Sequence, residues 1–149
     1  MSLTAVSLHR LGQPAGTEKH LVAPRLLAGL PVVGIGLAHV FEPSAPMQPI
    51  IEAAGFPAAS VLSPLAVALE LVAGTLLLLG LWTRLGAALV LPTMAVAVYA
   101  HLAIDVWPND ATSEPPILLP LAVMVCAAYV LWRGAGRWSI DRLVATSRA

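Results

Sequence analysis

The chain has 149 residues, of which 58% are hydrophobic and only 11% are charged. Soluble domains ordinarily carry about 25% charged residues, so this composition excludes a typical soluble enzyme. Eight Lys and Arg balance eight Asp and Glu, and with a net charge of zero we expect no nucleic-acid partner.

Four long apolar runs follow one another along the chain. A helix needs about 20 apolar residues to cross a bilayer. The runs lack the alternation of a barrel strand, so each backbone must satisfy its own hydrogen bonds as a helix. The sequence therefore predicts an all-α, membrane-embedded four-helix bundle with spans at about 24–41, 61–82, 85–104 and 115–132.

The segments outside the spans are short. Residues 1–23 form a polar arm that does not resemble a cleaved signal peptide. The bundle domain is expected to cover residues 24–142, and residues 143–149 form a short tail. We expect the arm and the tail to be cytoplasmic.

The distribution of cations predicts this orientation. All eight Lys and Arg fall in the arm, at the start of the first span, in the turn between spans two and three, or in the C-terminal region. The two loops on the other side hold five acids and no cation. By the positive-inside rule, both termini face the cytoplasm.

The connections differ in kind. A tight turn at Thr83-Arg84 joins spans two and three into a hairpin. The outer loop 42–60 predicts a short amphipathic helix followed by a turn at Gly55-Phe56-Pro57. The second outer loop is rich in Pro, Asn, Asp and Ser and is typical of a plain connection.

Glu70 is the one carboxyl group within an apolar run. A charged residue at the centre of a membrane costs about 2.5–3.5 kcal/mol on insertion scales. One interpretation is a neutral glutamic acid bonded to a neighbouring helix. The other is a group that binds a ligand or handles protons in a polar pocket. Gly74, one turn along on the same face, would allow another helix to approach closely.

His39 and His101 lie about one turn below the outer surface. They are either interfacial side chains or part of one ligand or proton pocket with Glu70, in which Glu70 meets His101 from the next helix. No HxxxH or HExxH spacing occurs, so we expect no metal site. Cys126 is the only cysteine, which excludes a disulfide within the chain and favours a packing role.

The string GAGRWSID (134–141) follows the fourth span. It predicts a glycine-rich exit from the helix, an interfacial Trp138, and Ser139 as the cap of a following segment. Arg137 is expected to reach the last carbonyls of the span or Asp141, so that the string forms a structural clasp.

With these residues in view, the chain resembles the DoxX family of small four-span bacterial membrane proteins. Arg25, the segment 36–39, Gly55-Phe56-Pro57, the run from Glu70 to Arg84, and GAGRWSID carry the resemblance, over roughly residues 24–142. The positions assigned to a structural motif lie in the last two strings: Gly74, Gly80, Arg84, Gly134, Gly136, Arg137, Trp138, Ser139 and Asp141. Many members have lysine where His39 stands.

The resemblance implies a protein of the bacterial inner membrane associated with thiosulfate:quinone oxidoreductases or oxidative-stress assemblies. The sequence has no flavin, haem or nucleotide motif and assigns no catalytic residue. The leading interpretation is an accessory or redox-linked subunit that binds a small apolar ligand such as quinone near Glu70. The alternatives are an anchor for a cytoplasmic redox, sulfur-metabolism or stress-response partner, and a small proton-coupled transporter. A homo-oligomer also remains open.

Overall fold

The computed structural model describes residues 18–41, 47–104 and 116–147. A 3₁₀ turn at Lys19–Leu21 leads directly into helix α1 (Val22–Phe41). The other helices are α2 (Met47–Ala53), α3 (Ala59–Leu79), α4 (Thr83–Ala103), α5 (Leu118–Arg133) and α6 (Ile140–Thr146). These described ranges contain no strand, which confirms the prediction of an all-α fold.

Three helical segments are long and apolar enough to cross a membrane: Lys19–Phe41, Ala59–Leu79 and Thr83–Ala103. The fourth, α5, is apolar but has only 16 residues. At 1.5 Å per residue it is about 24 Å long, against a hydrocarbon core of about 30 Å. It begins at Leu118, three residues after the predicted start of the span at 115.

The three long helices and the shorter α5, together called the four long helices below, form a ring in which each packs against two neighbours. Helix α1 packs against α3 and α5, and α4 packs against the same two helices. Neighbours are antiparallel: Gly29 near the start of α1 lies against Leu78 near the end of α3. Likewise Arg84 at the start of α4 contacts Trp132 at the end of α5.

The bundle has two distinct ends. At one end the short helix α2 packs on α3 and α4. At the other end α6 lies at the turn between α3 and α4, where the Asp141 N–H donates to the Gly80 carbonyl at 2.9 Å. We refer to them as the α2 end and the α6 end.

Glycines let the helices approach closely. A Cβ added to Gly74 would lie 2.7 Å from Val33 Cγ2 and 3.1 Å from the Val33 nitrogen of α1. A Cβ on Gly86 of α4 would lie 3.1 Å from the Ala73 carbonyl oxygen of α3. Membrane helices associate largely through such close contact between small residues. The short side chains therefore fix how tightly α1 and α4 pack on α3.

The buried apolar residues form two separate clusters. The larger one joins all four long helices and consists of Ala28, Val32, Ala73, Leu77, Ala87, Val90, Met94, Val123, Ala127 and Val130. The smaller one lies at the α2 end and consists of Ala54, Ala100 and Ile104, with Ile50 and Phe56 packed against it. Phe56 also meets Tyr99 edge to face at a centroid distance of 5.5 Å.

The turn between α3 and α4 lies at residues 80–82, not at Thr83-Arg84, which instead begin α4. Gly80 has a φ of 65° and Trp82 a φ of 44°. A left-handed residue just past the last helical turn ends a helix, and glycine adopts that conformation without steric cost. The hairpin itself is as predicted.

The predicted borders of the arm (1–23) and the tail (143–149) fall within helical elements. The described chain is helical from Lys19, and Leu21 is fully buried, at 0% exposed. Helix α6 crosses the predicted start of the tail and extends to Thr146. Ser139 caps this helix by accepting from the Arg142 N–H at 3.3 Å, as predicted. Residues 1–17 and 148–149 lie outside the described residues.

The predicted short helix of the first outer loop is confirmed as α2. Gly55, with a φ of 80°, stands at the predicted turn that follows it. The start of this loop (42–46) and the second outer loop (105–115) lie outside the described residues.

Candidate functional site

Glu70 lies on the interior face of α3. Its side chain is only 6% exposed, and it shares this face with Ala73, Gly74 and Leu77. A Cβ placed on Gly36 of α1 would lie 3.4 Å from Glu70 Cβ, so α1 passes directly beside the glutamate. The sequence puts an acid at a point where the helices are close and the surroundings are apolar.

One oxygen of the Glu70 carboxyl group is buried without a partner. Its Oε2 atom is buried and makes no hydrogen bond within the part of the chain that the structure describes. A buried polar atom without a partner costs about 1–3 kcal/mol. Such atoms are rare in native proteins, and each one calls for a reason, such as a bound molecule.

His39 and His101 lie on interior-facing stripes of their helices. His39 follows Gly36 by three positions on α1, and His101 follows Met94 by seven positions on α4, so each shares a face with a buried residue. Both histidines are partly buried. The three candidate residues therefore come from three different helices and face the same interior.

The three residues lie at different positions along the bundle axis, and His101 is far from Glu70 in this direction. Gly86 of α4 lies against Ala73 and Leu77 of α3, so Glu70 is level with about residue 91 of α4 in this antiparallel pair. His101 lies about ten residues further, roughly 15 Å along the axis. Its Nδ1 instead bonds the Ala97 carbonyl at 2.7 Å, so the predicted Glu70–His101 pair is not formed.

His39 lies closer to Glu70 along the bundle axis. Gly36 is level with Glu70, so His39 lies about one turn, or roughly 5 Å, nearer the α2 end. Glu70 therefore has one histidine at the next turn of a neighbouring helix and a second histidine near the α2 end.

A second group of polar residues closes the α6 end. Asp141 of α6 accepts from the Trp82 N–H at 2.6 Å, from the Thr83 N–H at 3.0 Å and from the Thr83 hydroxyl at 2.8 Å. The residue before α4 is Trp82, which cannot supply a cap itself. Asp141 thus caps α4 from far along the chain, and its negative charge suits the positive end of the helix dipole.

Arg25 is the buried cation of this end. It is 4% exposed, and its Nη1 donates to the Ala135 carbonyl beyond α5 at 2.8 Å. A Cβ on Gly80 would lie 2.6 Å from this same Nη1 and 2.7 Å from Ser139 Cβ. Arg25 also lies close enough to Asp141 for the two charges to interact. The start of α1 is therefore held against the α3–α4 turn and the segment after α5.

Two further contacts hold the same end. Arg84 donates to the Trp132 carbonyl at 3.4 Å. Arg133 pairs with Glu18, and its Nη2 donates to both carboxylate oxygens at 2.6 Å. A Cβ on Gly136 would lie 2.7 Å from Leu21 Cβ, so the glycine-rich segment is pressed against the 3₁₀ turn.

The motif residues at positions 134–141 form a clasp, but not through the predicted arginine. The two targets predicted for Arg137, the last carbonyls of α5 and Asp141, have other partners. The Trp132 carbonyl accepts from Arg84, and Asp141 accepts from the backbone N–H groups of Trp82 and Thr83. The Arg137 side chain is exposed, and its backbone N–H lies 3.5 Å from the Glu18 carbonyl. Trp138 is also exposed.

Sequence reasoning missed several residues of this end. Thr83 is fully buried, whereas the sequence predicts it only as part of a turn. The sequence uses Arg25 for the orientation and the family resemblance but predicts no buried role for it, although a cation one turn inside an apolar run is itself a sign of a buried partner. Glu18 falls in the predicted polar arm, for which the sequence predicts no contact. Cys126 lies on α5 against the larger apolar cluster.

Comparison with known proteins gives two matches. The DoxX family model matches residues 20–103. The chain is 30% identical over 142 residues to the uncharacterized membrane protein Rv3486 of Mycobacterium tuberculosis (strain ATCC 25618 / H37Rv), covering 91% of this chain and 84% of that protein. No solved structure gives a significant match. The family match includes Glu70 and the α3–α4 turn and ends before α5.

Proposed function

This chain belongs to the DoxX family, and from that premise we propose that it is a membrane-embedded accessory or redox-linked subunit. In this proposal the interior of the bundle binds a small apolar molecule with a polar head, and Glu70 holds the head. Quinone is the ligand that the family resemblance favours. Electrons for any redox step would come from a partner protein, since the sequence has no cofactor motif of its own.

The observation that carries the proposal is the unpartnered, buried carboxyl oxygen of Glu70. A leucine at this position would fill the interior without the cost of burying a polar group. A glutamate at this depth becomes favourable when a ligand supplies the missing hydrogen bond. A protonated carboxyl group can donate to a quinone carbonyl, and an ionised one can accept from a quinol hydroxyl.

The second candidate is an anchor that docks a cytoplasmic protein or anionic lipid at the α6 end. Its support is that Trp82, Trp132 and Trp138 are all exposed there, together with Lys19 and Arg137. Aromatic and cationic side chains of this kind are typical of a membrane interface. An anchor requires no ligand at Glu70, so a binding experiment separates the two candidates.

We expect the Glu70→Leu variant to bind a quinone more weakly than the unmodified protein. Loss of one buried hydrogen bond to the ligand corresponds to a decrease in affinity of about tenfold or more. Glu70→Gln, which keeps the shape and one donor, should lose less. The measurement is equilibrium binding of decylubiquinone to the purified protein in lipid nanodiscs, corrected for uptake by empty nanodiscs.

Glu52→Gln is the matched control, because Glu52 is an exposed acid on α2 that bonds Gln48. It should bind decylubiquinone as the unmodified protein does. Equal affinity for Glu70→Leu, Glu70→Gln and the control would refute ligand binding at Glu70 and favour the anchor.

A further inference from the structure

The packing of the bundle is asymmetric about Glu70. On the α6 side, the interior is filled: Val32, Leu77, Val90 and Val130 are each fully buried. Beyond them the Arg25 side chain and Ser139 occupy the space beside Gly80. Close-packed interiors of this kind leave no room for a small molecule to pass.

On the α2 side, helices α1 and α3 are less buried. No residue among 60–69 of α3 or 37–41 of α1 is buried, and both ranges lie wholly within the described chain. Ala66 lies one turn from Glu70 on the same face of α3 and is only half-buried. Along α3, Glu70 is therefore the last buried residue before this less buried stretch.

The smaller apolar cluster joins the α2 region to the end of α4 through Ala54, Ala100 and Ile104, and α2 also packs on α3. Between Glu70 and the α2 end, Ala66 on α3, Ala97 on α4 and His39 on α1 are only partly buried. His101 is also partly buried and lies beside Ala100 of the smaller cluster, so the two histidines place polar groups between Glu70 and the α2 end.

We infer that the ligand of Glu70 enters the bundle from the α2 side and lies between the two apolar clusters, with its head at Glu70 and its apolar body toward the α2 end. This inference rests on the proposed function and adds the route and the pose. It also names the ligand class: a molecule with one hydrogen-bonding head and an elongated apolar body, narrow enough to lie beside Ala66 and Ala97. His39 and His101 are positioning residues along this path.

Thiol accessibility tests the route without using any ligand. In a Cys126→Ala background, Ala66→Cys and Ala73→Cys place one thiol on each side of Glu70 on the same face of α3. The proteins are held in nanodiscs, where both membrane faces are open to reagent. Because a reagent reaches a close-packed site only when the structure opens locally, Ala66→Cys should react at least about tenfold faster than Ala73→Cys.

Two reagents are used: a charged methanethiosulfonate, which reports an aqueous opening, and N-ethylmaleimide, which also reports entry from lipid. Ala53→Cys on the exposed surface of α2 serves as the accessible reference. A faster reaction of Ala66→Cys with either reagent supports entry from the α2 side. Equal rates with both reagents, or a faster reaction of Ala73→Cys, would overturn it. Glu70→Leu is not used here, so loss of quinone binding at Glu70 and failure of the route give separate results.

Discussion

Replacing Asp141 by alanine should lower the melting temperature of the detergent-solubilised protein by roughly 10 °C. The change removes the three hydrogen bonds that Asp141 accepts from Trp82 and Thr83. It leaves the Thr83 hydroxyl, on a fully buried side chain, without that acceptor. Loss of a helix cap costs about 0.5–2 kcal/mol, and hydrogen bonds to a charged group contribute about 1.5–3 kcal/mol. A total of about 3 kcal/mol corresponds to a decrease of this size in a chain of this length.

Asp141→Asn should have a smaller effect, because an asparagine oxygen can still cap the helix although the negative charge is lost. The matched control is Glu52→Ala, an exposed acid on α2, which should melt as the unmodified protein does. An Asp141→Ala variant with an unchanged melting temperature would contradict the assignment of α6 as the clasp of the bundle.

Gly74→Leu should prevent the bundle from folding. The added side chain would begin 2.7 Å from Val33 Cγ2 and 3.1 Å from the Val33 nitrogen, and backbone atoms cannot move aside as a side chain can. Helices α1 and α3 would have to separate, with the loss of their shared contacts, including those around Glu70. The measurement is the monodisperse peak of a fluorescent fusion in size-exclusion chromatography, which should be lost.

Gly34→Leu is the control for this prediction. Gly34 also lies in α1, but a Cβ added there meets nothing within 4 Å. Leucine is a better helix former than glycine, so this variant should fold as well as the unmodified protein or slightly better. If both variants fold equally well, close packing through Gly74 does not hold α1 and α3 together.

The main features of the fold could be predicted from the sequence because each rests on a local pattern. Long apolar runs specify membrane helices wherever they occur, and Ser139 before a short helix is a local capping signal. The start of α4 could not be predicted in the same way. Its cap is Asp141, far along the chain, and no property of Trp82-Thr83 indicates that partner.

The candidate site likewise has features that could be predicted from the sequence and features that could not. The burial of Glu70 follows from the spacing of Ala73, Gly74 and Leu77 on one face of α3. The expected contact with His101 fails because the hairpin turns at residues 80–82, which brings the middle of α4, not its far end, level with Glu70. Counting residues from the turn would have given this register. By contrast, the burial of Arg25 depends on the segment after α5, so counting residues along the chain could not have predicted it.

The most direct test of a ligand held by Glu70 is a structure of the protein extracted in native membrane nanodiscs. The proposal predicts elongated density between α1, α3 and α4 on the α2 side of Glu70, with a polar atom within about 3 Å of the carboxyl group. In the Glu70→Leu variant this density should be absent. An interior filled only by side chains, with the Glu70 carboxyl bonded to another residue of the protein, would contradict the proposal.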